Sequence, residues 1–345
     1  MRAAVLRGER EVKLEEVADP YPGPREVLVR VRAAGICGSD LHVYRHLRRM
    51  RERTAMVDPV ILGHEYSGDV IGVGSEVDGL RIGDRVVVDP NSACGECPTC
   101  RQGGVTALCE RLRIYGSAFA EMAVAPSRNA YRIAPTSTHD DASYTEPLSC
   151  VLRALDLVGA PTGRTAAVIG CGPAGLLFVQ MLSLSGATRV LAIARRPASL
   201  LAAKRMGAHG VIDATTEDPG GRIAEVTRGT GAAVVIDTVG SRETTLLAAA
   251  VASRGGSVCL YSLPPADEVS FAAWHIFEKE LRILGANRNS GTFGRALALI
   301  ESGRATPGLL TSRTIGLDDL PDMLSLLGAG GGNGRSAIIK VVVHP

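Results

Sequence analysis

The second half of the chain alternates short apolar segments with Ala- and Leu-rich segments, and this alternation restricts the fold more than any other feature. We predict six strands there, at Thr165–Ile169, Arg189–Ala194, Gly210–Asp213, Ala233–Asp237, Ser257–Tyr261 and Leu281–Gly285. Helices that alternate with strands are typical of a parallel, doubly wound sheet, because each helix carries the chain back to the start of the next strand. The sequence therefore predicts an α/β domain over residues 151–287.

The first of these strands runs straight into a glycine-rich turn that opens the next helix. Its residues Gly170, Gly172, Pro173, Ala174 and Gly175 fit the GxGxxG pattern. The pattern is weak alone but specific between a strand and a helix. The glycines permit a tight turn and a close approach of the backbone, and the helix N-terminus faces a pyrophosphate. We expect these residues to bind a nicotinamide dinucleotide.

Two later strands end in residues that we expect at the nicotinamide end of this cofactor. They are Asp237 with the turn at 238–240, and Ser262 with Leu263. The carboxyl ends of parallel strands meet at one edge of the sheet, where ligands of this fold bind. The alternative is that these residues only terminate their strands.

The end of the second predicted strand indicates which nicotinamide cofactor is used. An enzyme that uses NAD carries an Asp or Glu about 20 residues past the glycine motif, where it binds the ribose 2′-hydroxyl. Here Ala194 occupies that place, and Arg195 and Arg196 follow. A guanidinium suits a 2′-phosphate, so we predict NADP rather than NAD. The alternative is that both arginines are solvated and that NAD binds without the usual acid.

The rest of the chain predicts a second, β-rich domain. At about 150 residues per domain, 345 residues suggest two domains. We place this domain at residues 1–150. Its first 90 residues contain short alternating segments, such as Glu26–Arg32, separated by Gly and Pro, which favours a barrel or sandwich. We predict a helix near Thr292–Ser302 and a strand at Ala337–Val343. We therefore expect residues 288–345 to return to the first domain.

Half of the eight cysteines lie close together in the sequence. Cys94, Cys97, Cys100 and Cys109 fall within sixteen residues, in a lobe at 91–111 that is rich in Gly and Pro. Four thiolates on a short loop fit a structural zinc. An iron–sulfur cluster and unliganded thiols are the alternatives. A nucleic-acid-binding zinc ribbon would need a basic, aromatic surface that the loop lacks.

A second set of potential ligands is spread over the first domain. Cys37, His64, Glu65 and Glu146 offer a thiolate, an imidazole and two carboxylates. A catalytic zinc takes three protein ligands and keeps one position open. One thiolate, one imidazole and one carboxylate would cancel the two charges of the ion, which still polarises a bound alcohol. Each residue alone is weak evidence, because a lone histidine is more often structural.

The order of these motifs along the whole chain, from Cys37 to the GxGxxG turn, resembles the zinc-dependent medium-chain dehydrogenase/reductase family. The segments Cys37–Asp40 and Glu146–Ser149 are most similar to its polyol branch, the sorbitol and threonine dehydrogenases. The resemblance implies a GroES-like catalytic domain beside a Rossmann domain, in a homodimer or homotetramer. It implies Cys37, His64 and Glu65 as catalytic zinc ligands, with Glu146 binding the zinc or a water on it.

The chain departs from the family pattern at two places. The last gap of the cysteine lobe is eight residues, one longer than the family gap, which a loop can absorb. The segment Tyr115–Phe119 is shorter than the usual glycine-rich approach, and in the family that loop often borders the substrate entrance.

The resemblance also assigns a proton path. Ser39 matches the family's hydroxyl beside the reacting oxygen, and His42 matches the histidine that passes the proton to solvent. An imidazole suits that transfer near neutral pH. The alternatives are a helix N-cap for Ser39 and an exposed polar residue for His42.

The sequence indicates less about the substrate than about the metal sites and the cofactor. Arg288 falls where sorbitol-dehydrogenase-like enzymes carry an arginine near the substrate. The arginine-rich run at 44–53 is either a solvated face or a site for an anionic or phosphorylated sugar. We expect a polyol, cyclitol, sugar or amino-sugar secondary alcohol and its ketone, with simple alcohols and threonine-like substrates as alternatives. The complete zinc-ligand set argues against a zinc-free quinone reductase or a non-enzymatic relative.

Composition excludes other classes of protein. A net charge of +2 is too balanced for a general nucleic-acid or membrane-surface binder. The longest apolar stretch, 166–187, is interrupted by glycines and a proline, and the N-terminus lacks the apolar run of a signal peptide. We therefore expect a cytoplasmic protein with a small-molecule substrate.

Overall fold

The structure is a computed structural model that describes residues 1–53, 58–263, 271, 273–329 and 337–345. The chain forms two compact units. The first contains residues 1–149 and 289–345, and the second contains residues 150–288.

The described strands are, in chain order, β1 (Arg2–Gly8), β2 (Glu11–Glu16), β3 (Glu26–Gly35), β4 (Glu65–Val73), β5 (Arg85–Val88), β6 (Asn91–Ser92), β7 (Arg113–Ile114), β8 (Met122–Pro126), β9 (Ala130–Arg132), β10 (Thr165–Ile169), β11 (Arg189–Ala194), β12 (Gly210–Asp213), β13 (Ala232–Asp237), β14 (Ala252–Leu260), β15 (Arg282–Gly285), β16 (Thr311–Gly316) and β17 (Lys340–His344).

The described helices are α1 (Gly38–Arg45), α2 (Leu47–Arg53), α3 (Pro98–Arg101), α4 (His139–Ser143), α5 (Thr145–Val158), α6 (Pro173–Leu184), α7 (Pro197–Arg205), α8 (Pro219–Thr227), α9 (Arg242–Val251), α10 (Ala273–Lys279), α11 (Phe293–Glu301) and α12 (Leu320–Gly328). Within the described ranges, none of the helices combines the length and the apolar character needed to cross a membrane.

The first unit is built on a largely antiparallel sheet in the order β16-β17-β3-β4-β5-β9, with β8 also paired to β3. The alternation in β3 follows from its position in this sheet. Val27, Val29 and Val31 are buried in the core, whereas Arg30 and Arg32 are exposed. Because side chains alternate across a strand, one face of β3 packs inward and the other meets solvent.

The last strand of the chain belongs to this sheet, and it starts later than the sequence predicts. The prediction was Ala337–Val343, whereas β17 covers Lys340–His344. It runs antiparallel to β3 and parallel to β16. Residues 340–343 are buried and pair with β16, and Val342 and Val343 also pair with β3.

The second unit is a six-stranded parallel sheet in the order β12-β11-β10-β13-β14-β15, which confirms the predicted doubly wound α/β fold. The first three predicted strands have the observed bounds. The fifth was predicted at Ser257–Tyr261, but β14 already begins at Ala252, because Ala252 pairs with Ala232 before a register shift. The strand order reverses between β10 and β13, which in this fold marks the crevice where ligands bind.

Candidate active site and metal centres

The four cysteines of the lobe converge on one point. The Sγ atoms of Cys94, Cys97, Cys100 and Cys109 all lie within 4.8 Å of one another. The Cys94–Cys100 and Cys97–Cys109 pairs are each 4.0 Å apart. Four sulfurs at 2.3 Å from one tetrahedral zinc would be about 3.8 Å apart. The donor set and its spacing therefore fit a zinc ion, and no disulfide joins these residues.

Backbone N–H groups of the lobe donate hydrogen bonds to one of these sulfurs. The N–H groups of Glu96 and Cys97 donate to Cys94 Sγ at 3.4 and 3.3 Å. These hydrogen bonds lower the pKa of the Cys94 thiol to about 6. A thiolate is the form that binds metal, so Cys94 already favours the ligating state, whereas the hydrogen bond with Cys97 and burial raise the pKa of Cys100 to about 12.

The longer last gap of the lobe does not separate Cys109 from the other sulfurs. Gly103 adopts φ +78°, and the short 3₁₀ turn Thr106–Leu108 leads back to Cys109. The Thr106 N–H donates to Ser290 Oγ at 2.8 Å.

A second cluster lies in the same unit. Ligand atoms of Cys37, His64 and Glu65 lie within 4.8 Å of one another. Cys37 precedes α1 and is its N-cap, His64 follows a turn at Gly63 with φ +90°, and Glu65 begins β4. The donors are those of a catalytic zinc site with three protein ligands, and they fit that ion. Among the described residues, the group does not include Glu146.

Asp40 orients this cluster and was missed by the sequence analysis. Its buried carboxylate lies 3.3 Å from His64 Nδ1 and accepts the N–H groups of Cys37 at 2.8 Å and Gly63 at 3.2 Å. Burial alone would raise the pKa of Asp40, but the charge of His64 and these hydrogen bonds lower it. Carboxylates that hold a ligating histidine in this way fix its ring and its tautomer.

Lys340 is the second residue that the sequence analysis missed. Its buried ammonium group forms an ion pair with Glu65 Oε2 and donates to the Ile36 carbonyl oxygen at 3.0 Å. Burial would lower the pKa of Lys340, but the charges of Glu65 and Cys37 raise it above its usual range. Lys340 therefore adds a positive charge beside the three potential ligands. A Cβ at Gly35 would overlap Glu65 Oε2, so a glycine leaves space for this pair.

The predicted proton-path residues lie on α1. Ser39 Oγ is 3.4 Å from His64 Nε2 and therefore next to the cluster. His42 is half-buried one turn further along. Glu146 is buried in the first turn of α5.

The glycine-rich turn in the second unit has the expected conformation. It joins β10 to α6, with Gly172 as the N-cap and Pro173 as the first helical residue. Gly170 adopts φ +90°, and a Cβ there would lie 2.6 Å from Thr238 Oγ1. A Cβ at Gly175 would overlap the Gly170 carbonyl oxygen. Only glycine fits both positions.

Asp237 shapes the neighbouring turn. It is fully buried, and its Oδ1 accepts the N–H groups of Val239 and Gly240 at 2.9 and 3.0 Å. Its Oδ2 accepts the hydroxyl groups of Thr244 and Thr245 at 3.1 and 3.2 Å. Because both oxygens accept hydrogen bonds within the protein, the side chain holds this turn in position.

Three positions follow the end of β11. Ala194 ends that strand, Arg195 is exposed, and Arg196 is half-buried at the N-cap of α7. Burial raises the pKa of Cys171 to about 12, and the charge of Arg196 acts on it in the opposite direction. Arg196 is thus near the glycine-rich turn. Asp213 lies opposite Ala194 in the ladder, but its carboxylate accepts hydrogen bonds from Thr215.

The remaining predicted residues are peripheral in their units. Ser262 and the exposed Leu263 follow β14. Arg288 is the last residue of the second unit and has φ +58°. In the arginine-rich run, Arg45 donates to the Leu327 and Gly328 carbonyl oxygens at the end of α12, at 3.1 Å each.

Comparison with known families assigns both halves of the chain. Residues 23–135 match the alcohol dehydrogenase GroES-like domain, and residues 173–302 match the zinc-binding dehydrogenase model. The chain belongs to the zinc-dependent medium-chain alcohol dehydrogenases. The match to the GroES-like domain confirms the predicted fold class of the first domain. As a member of this family, the protein is an NAD(P)-dependent oxidoreductase.

Individual relatives of this dehydrogenase agree with that assignment. The chain is 31% identical to the sorbitol dehydrogenase of Bacillus subtilis (strain 168), over 100% of this chain and 97% of that protein. It is 36% identical to the L-threonine 3-dehydrogenase of the same organism, over 73% of this chain and 72% of that protein. A zinc-binding dehydrogenase from Sinorhizobium meliloti 1021, crystallised with NADP, is 33% identical, with a TM-score of 0.89 over 100% of this chain and 99% of that one.

Proposed function

We propose that this dehydrogenase interconverts a polyol, cyclitol, sugar or amino-sugar secondary alcohol and its ketone, with NADP as hydride acceptor and donor. The observation that carries the proposal is the group of Cys37, His64 and Glu65, whose ligand atoms lie within 4.8 Å of one another with Ser39 alongside. The sorbitol dehydrogenase of Bacillus subtilis, which is similar over 100% of this chain, supports the substrate class.

We assign one zinc ion to each of the two clusters. Cys37, His64 and Glu65 would hold the catalytic ion, which would supply a Lewis acid toward the substrate oxygen. The four lobe cysteines would hold a structural ion, because their closed all-sulfur set leaves no position for a substrate. Glu146 is not in the group of potential ligands. We therefore propose that its buried carboxylate accepts a hydrogen bond from a water or from the substrate and does not bind the zinc directly.

The proton of the alcohol leaves along α1 in this proposal. Ser39 Oγ lies 3.4 Å from His64 Nε2 and would hydrogen-bond the reacting hydroxyl group. His42 follows on the same helix and is partly exposed, so its imidazole can release a proton to solvent. Asp40 and Lys340 fix His64 and Glu65 and contribute no proton transfer of their own.

The coenzyme binds to the second unit. The glycine-rich turn would hold the pyrophosphate at the N-terminus of α6. Ala194 leaves no carboxylate to repel a 2′-phosphate, and Arg195 and Arg196 offer guanidinium groups beside it. Asp213 binds Thr215 and so does not replace the missing acid. The relative crystallised with NADP supports this choice.

The ratio of kcat/KM for NADP over that for NAD tests the coenzyme. The wild type should favour NADP by at least about tenfold, or about 1.4 kcal/mol. The variant Ala194→Asp/Arg195→Leu should lose that preference. Arg205→Leu, at the far end of α7, is the matched control and should retain it. A wild-type preference for NAD would overturn the choice of NADP and leave the dehydrogenase assignment intact.

A threonine-type 3-hydroxy acid is the second candidate substrate, because the L-threonine 3-dehydrogenase of Bacillus subtilis is 36% identical over 73% of this chain. A panel of polyols, cyclitols, amino sugars, simple alcohols and L-threonine, each with both coenzymes, separates the two candidates. We expect the highest kcat/KM for a polyol-like alcohol. A higher value for L-threonine would replace the proposed substrate class.

A further inference from the structure

Two histidines lie together at the end of α1, outside both cysteine-containing clusters. His42 is in the last turn of the helix, and His46 is its C-cap. Residues four apart on a helix share one face. The two imidazole rings are 5.1 Å apart between centroids, with an angle of 57° between their planes. His46 is exposed and His42 half-buried, so solvent reaches the pair from the His46 side.

The distance between the two ring centroids is compatible with a two-imidazole chelate. A zinc-like ion binds a histidine nitrogen at 2.0–2.1 Å along the ring plane. Two imidazoles that bind one ion at angles of 90–109° then have centroids about 4.5–5.2 Å apart. The observed 5.1 Å falls in this range. Two histidines four residues apart on a helix bind zinc in the H-E-x-x-H motif. Here the second histidine is the C-cap of α1, and its N–H still donates to the His42 carbonyl oxygen at 3.0 Å.

The charges around the two histidines have opposite effects on the binding of a cation. The C-terminal end of a helix favours a cation, and both histidines lie at that end of α1. Arg45 directs its guanidinium group to carbonyl oxygens at the end of α12. Arg48 and Arg49 follow on α2 and add positive charge, while Glu9 accepts the Arg48 backbone N–H at 3.2 Å. We therefore expect binding of moderate strength that depends on the imidazoles themselves.

We propose that His42 and His46 together bind one divalent late transition-metal ion, of the Ni²⁺, Cu²⁺ or Zn²⁺ class, with water in the remaining positions. Imidazole suits these ions, whereas Mg²⁺ and Ca²⁺ prefer oxygen ligands. The site is separate from the two proposed zinc sites, because it uses none of their ligands. If His42 also passes the proton to solvent, which rests on the proposed function, an ion on its nitrogen blocks that transfer and inhibits alcohol oxidation.

Calorimetric titration with Ni²⁺ tests the site in the zinc-loaded, tag-free protein. The wild type should bind one Ni²⁺ per chain at this site. His46→Asn and His42→Asn should each weaken that binding at least tenfold, because each removes one of two ligands. His209→Asn is the control, since His209 is an exposed histidine of the second unit whose Nδ1 accepts the Val190 N–H at 3.1 Å. Equal Ni²⁺ binding by the wild type, His42→Asn and His46→Asn would overturn the proposal.

Inhibition gives the second readout and separates the two proposals. Ni²⁺ should lower the rate of alcohol oxidation in the wild type and in His209→Asn, over the concentration range in which it binds. The same Ni²⁺ concentrations should inhibit His46→Asn at least tenfold less strongly. If Ni²⁺ binds to the wild type without inhibition, the chelate is supported and the assignment of His42 to the proton path is wrong.

Discussion

The two cysteine-containing clusters of the first unit are built in opposite ways. In the lobe, four ligands come from sixteen consecutive residues, and the N–H groups of the same loop polarise the sulfurs. In the Cys37 cluster, the ligands begin α1 and β4 and are oriented by Asp40 and Lys340. Lys340 lies 275 residues from Glu65 in the sequence.

The two clusters should therefore differ in how far the surrounding structure depends on a bound metal ion. We expect the lobe, a local structure, to need a metal to remain folded, because metal binding supplies folding energy to such loops. The Cys37 cluster is held by the sheet around it, so the surrounding fold does not require the ion. Loss of a ligand should therefore affect stability in the lobe and chemistry in the cluster.

The largest effect is expected for Cys37→Ser. A Lewis acid contributes several kcal/mol to catalysis, so kcat/KM should fall at least about a thousandfold. The melting temperature should change by less than about 3 °C. Steady-state kinetics and calorimetry measure the two quantities on one preparation, and metal analysis should show that the lobe zinc remains. Full activity of this variant would remove Cys37 from the catalytic site.

Lys340→Met should show that the Cys37 cluster also contains a buried ion pair. It leaves the buried carboxylate of Glu65 without its cation, which costs about 3 kcal/mol or more. A metal ion on Glu65 would replace part of the lost charge, so the loss of unfolding free energy should be larger after chelator treatment than in the zinc-loaded protein. Chemical denaturation in both states measures this difference.

Lys13→Met, which removes an exposed lysine paired with Glu11, is the control and should cost less than about 1 kcal/mol in either state. If the cost of Lys340→Met is the same with and without metal, Glu65 does not share its charge with an ion.

Cys100→Ser should show the opposite pattern to Cys37→Ser. The lobe should lose its zinc, and the melting temperature should fall by about 5 °C or more, since 1 kcal/mol corresponds to about 2–4 °C in a domain of this size. The activity per remaining catalytic zinc should fall less than about tenfold at a temperature well below the transition. An unchanged melting temperature together with one zinc per chain would show that the lobe does not depend on a metal.

Local features of this chain could be predicted from its sequence, and long-range ones could not. The bounds of β10, β11 and β12 and the glycine turn follow from patterns of a few residues. The grouping of the four lobe cysteines follows from their spacing. Lys340 and Asp40 carry no such signal, because a lysine in a C-terminal strand acquires a role only when β17 pairs with β3 beside Glu65.

The early start of β14 illustrates the same limit. Ala252 and the residues after it include two glycines, Gly255 and Gly256, which weaken a strand in isolation. Pairing with β13 overrides that preference. Likewise, the engaged oxygens of Asp237 depend on threonines of α9 that a strand-end pattern does not include.

The smallest effect is expected for His42→Ala, which tests the proton path without removing a proposed ligand of either zinc site. The variant should slow alcohol oxidation by about tenfold near pH 6, where hydroxide is scarce and the proton needs an imidazole to leave. The loss should shrink as the pH rises, because hydroxide and alkaline buffers accept the proton directly. The pH dependence of kcat, measured from pH 6 to pH 10, gives this trend.

His46→Ala is the matched control, since it removes the exposed neighbour of His42 from the same helix end. Its pH–rate profile should stay close to that of the wild type when free transition metals are absent. A parallel loss for His42→Ala at every pH would mean that His42 supports the structure of α1 rather than proton transfer. The proton of the alcohol would then leave the active site by a route that does not use α1.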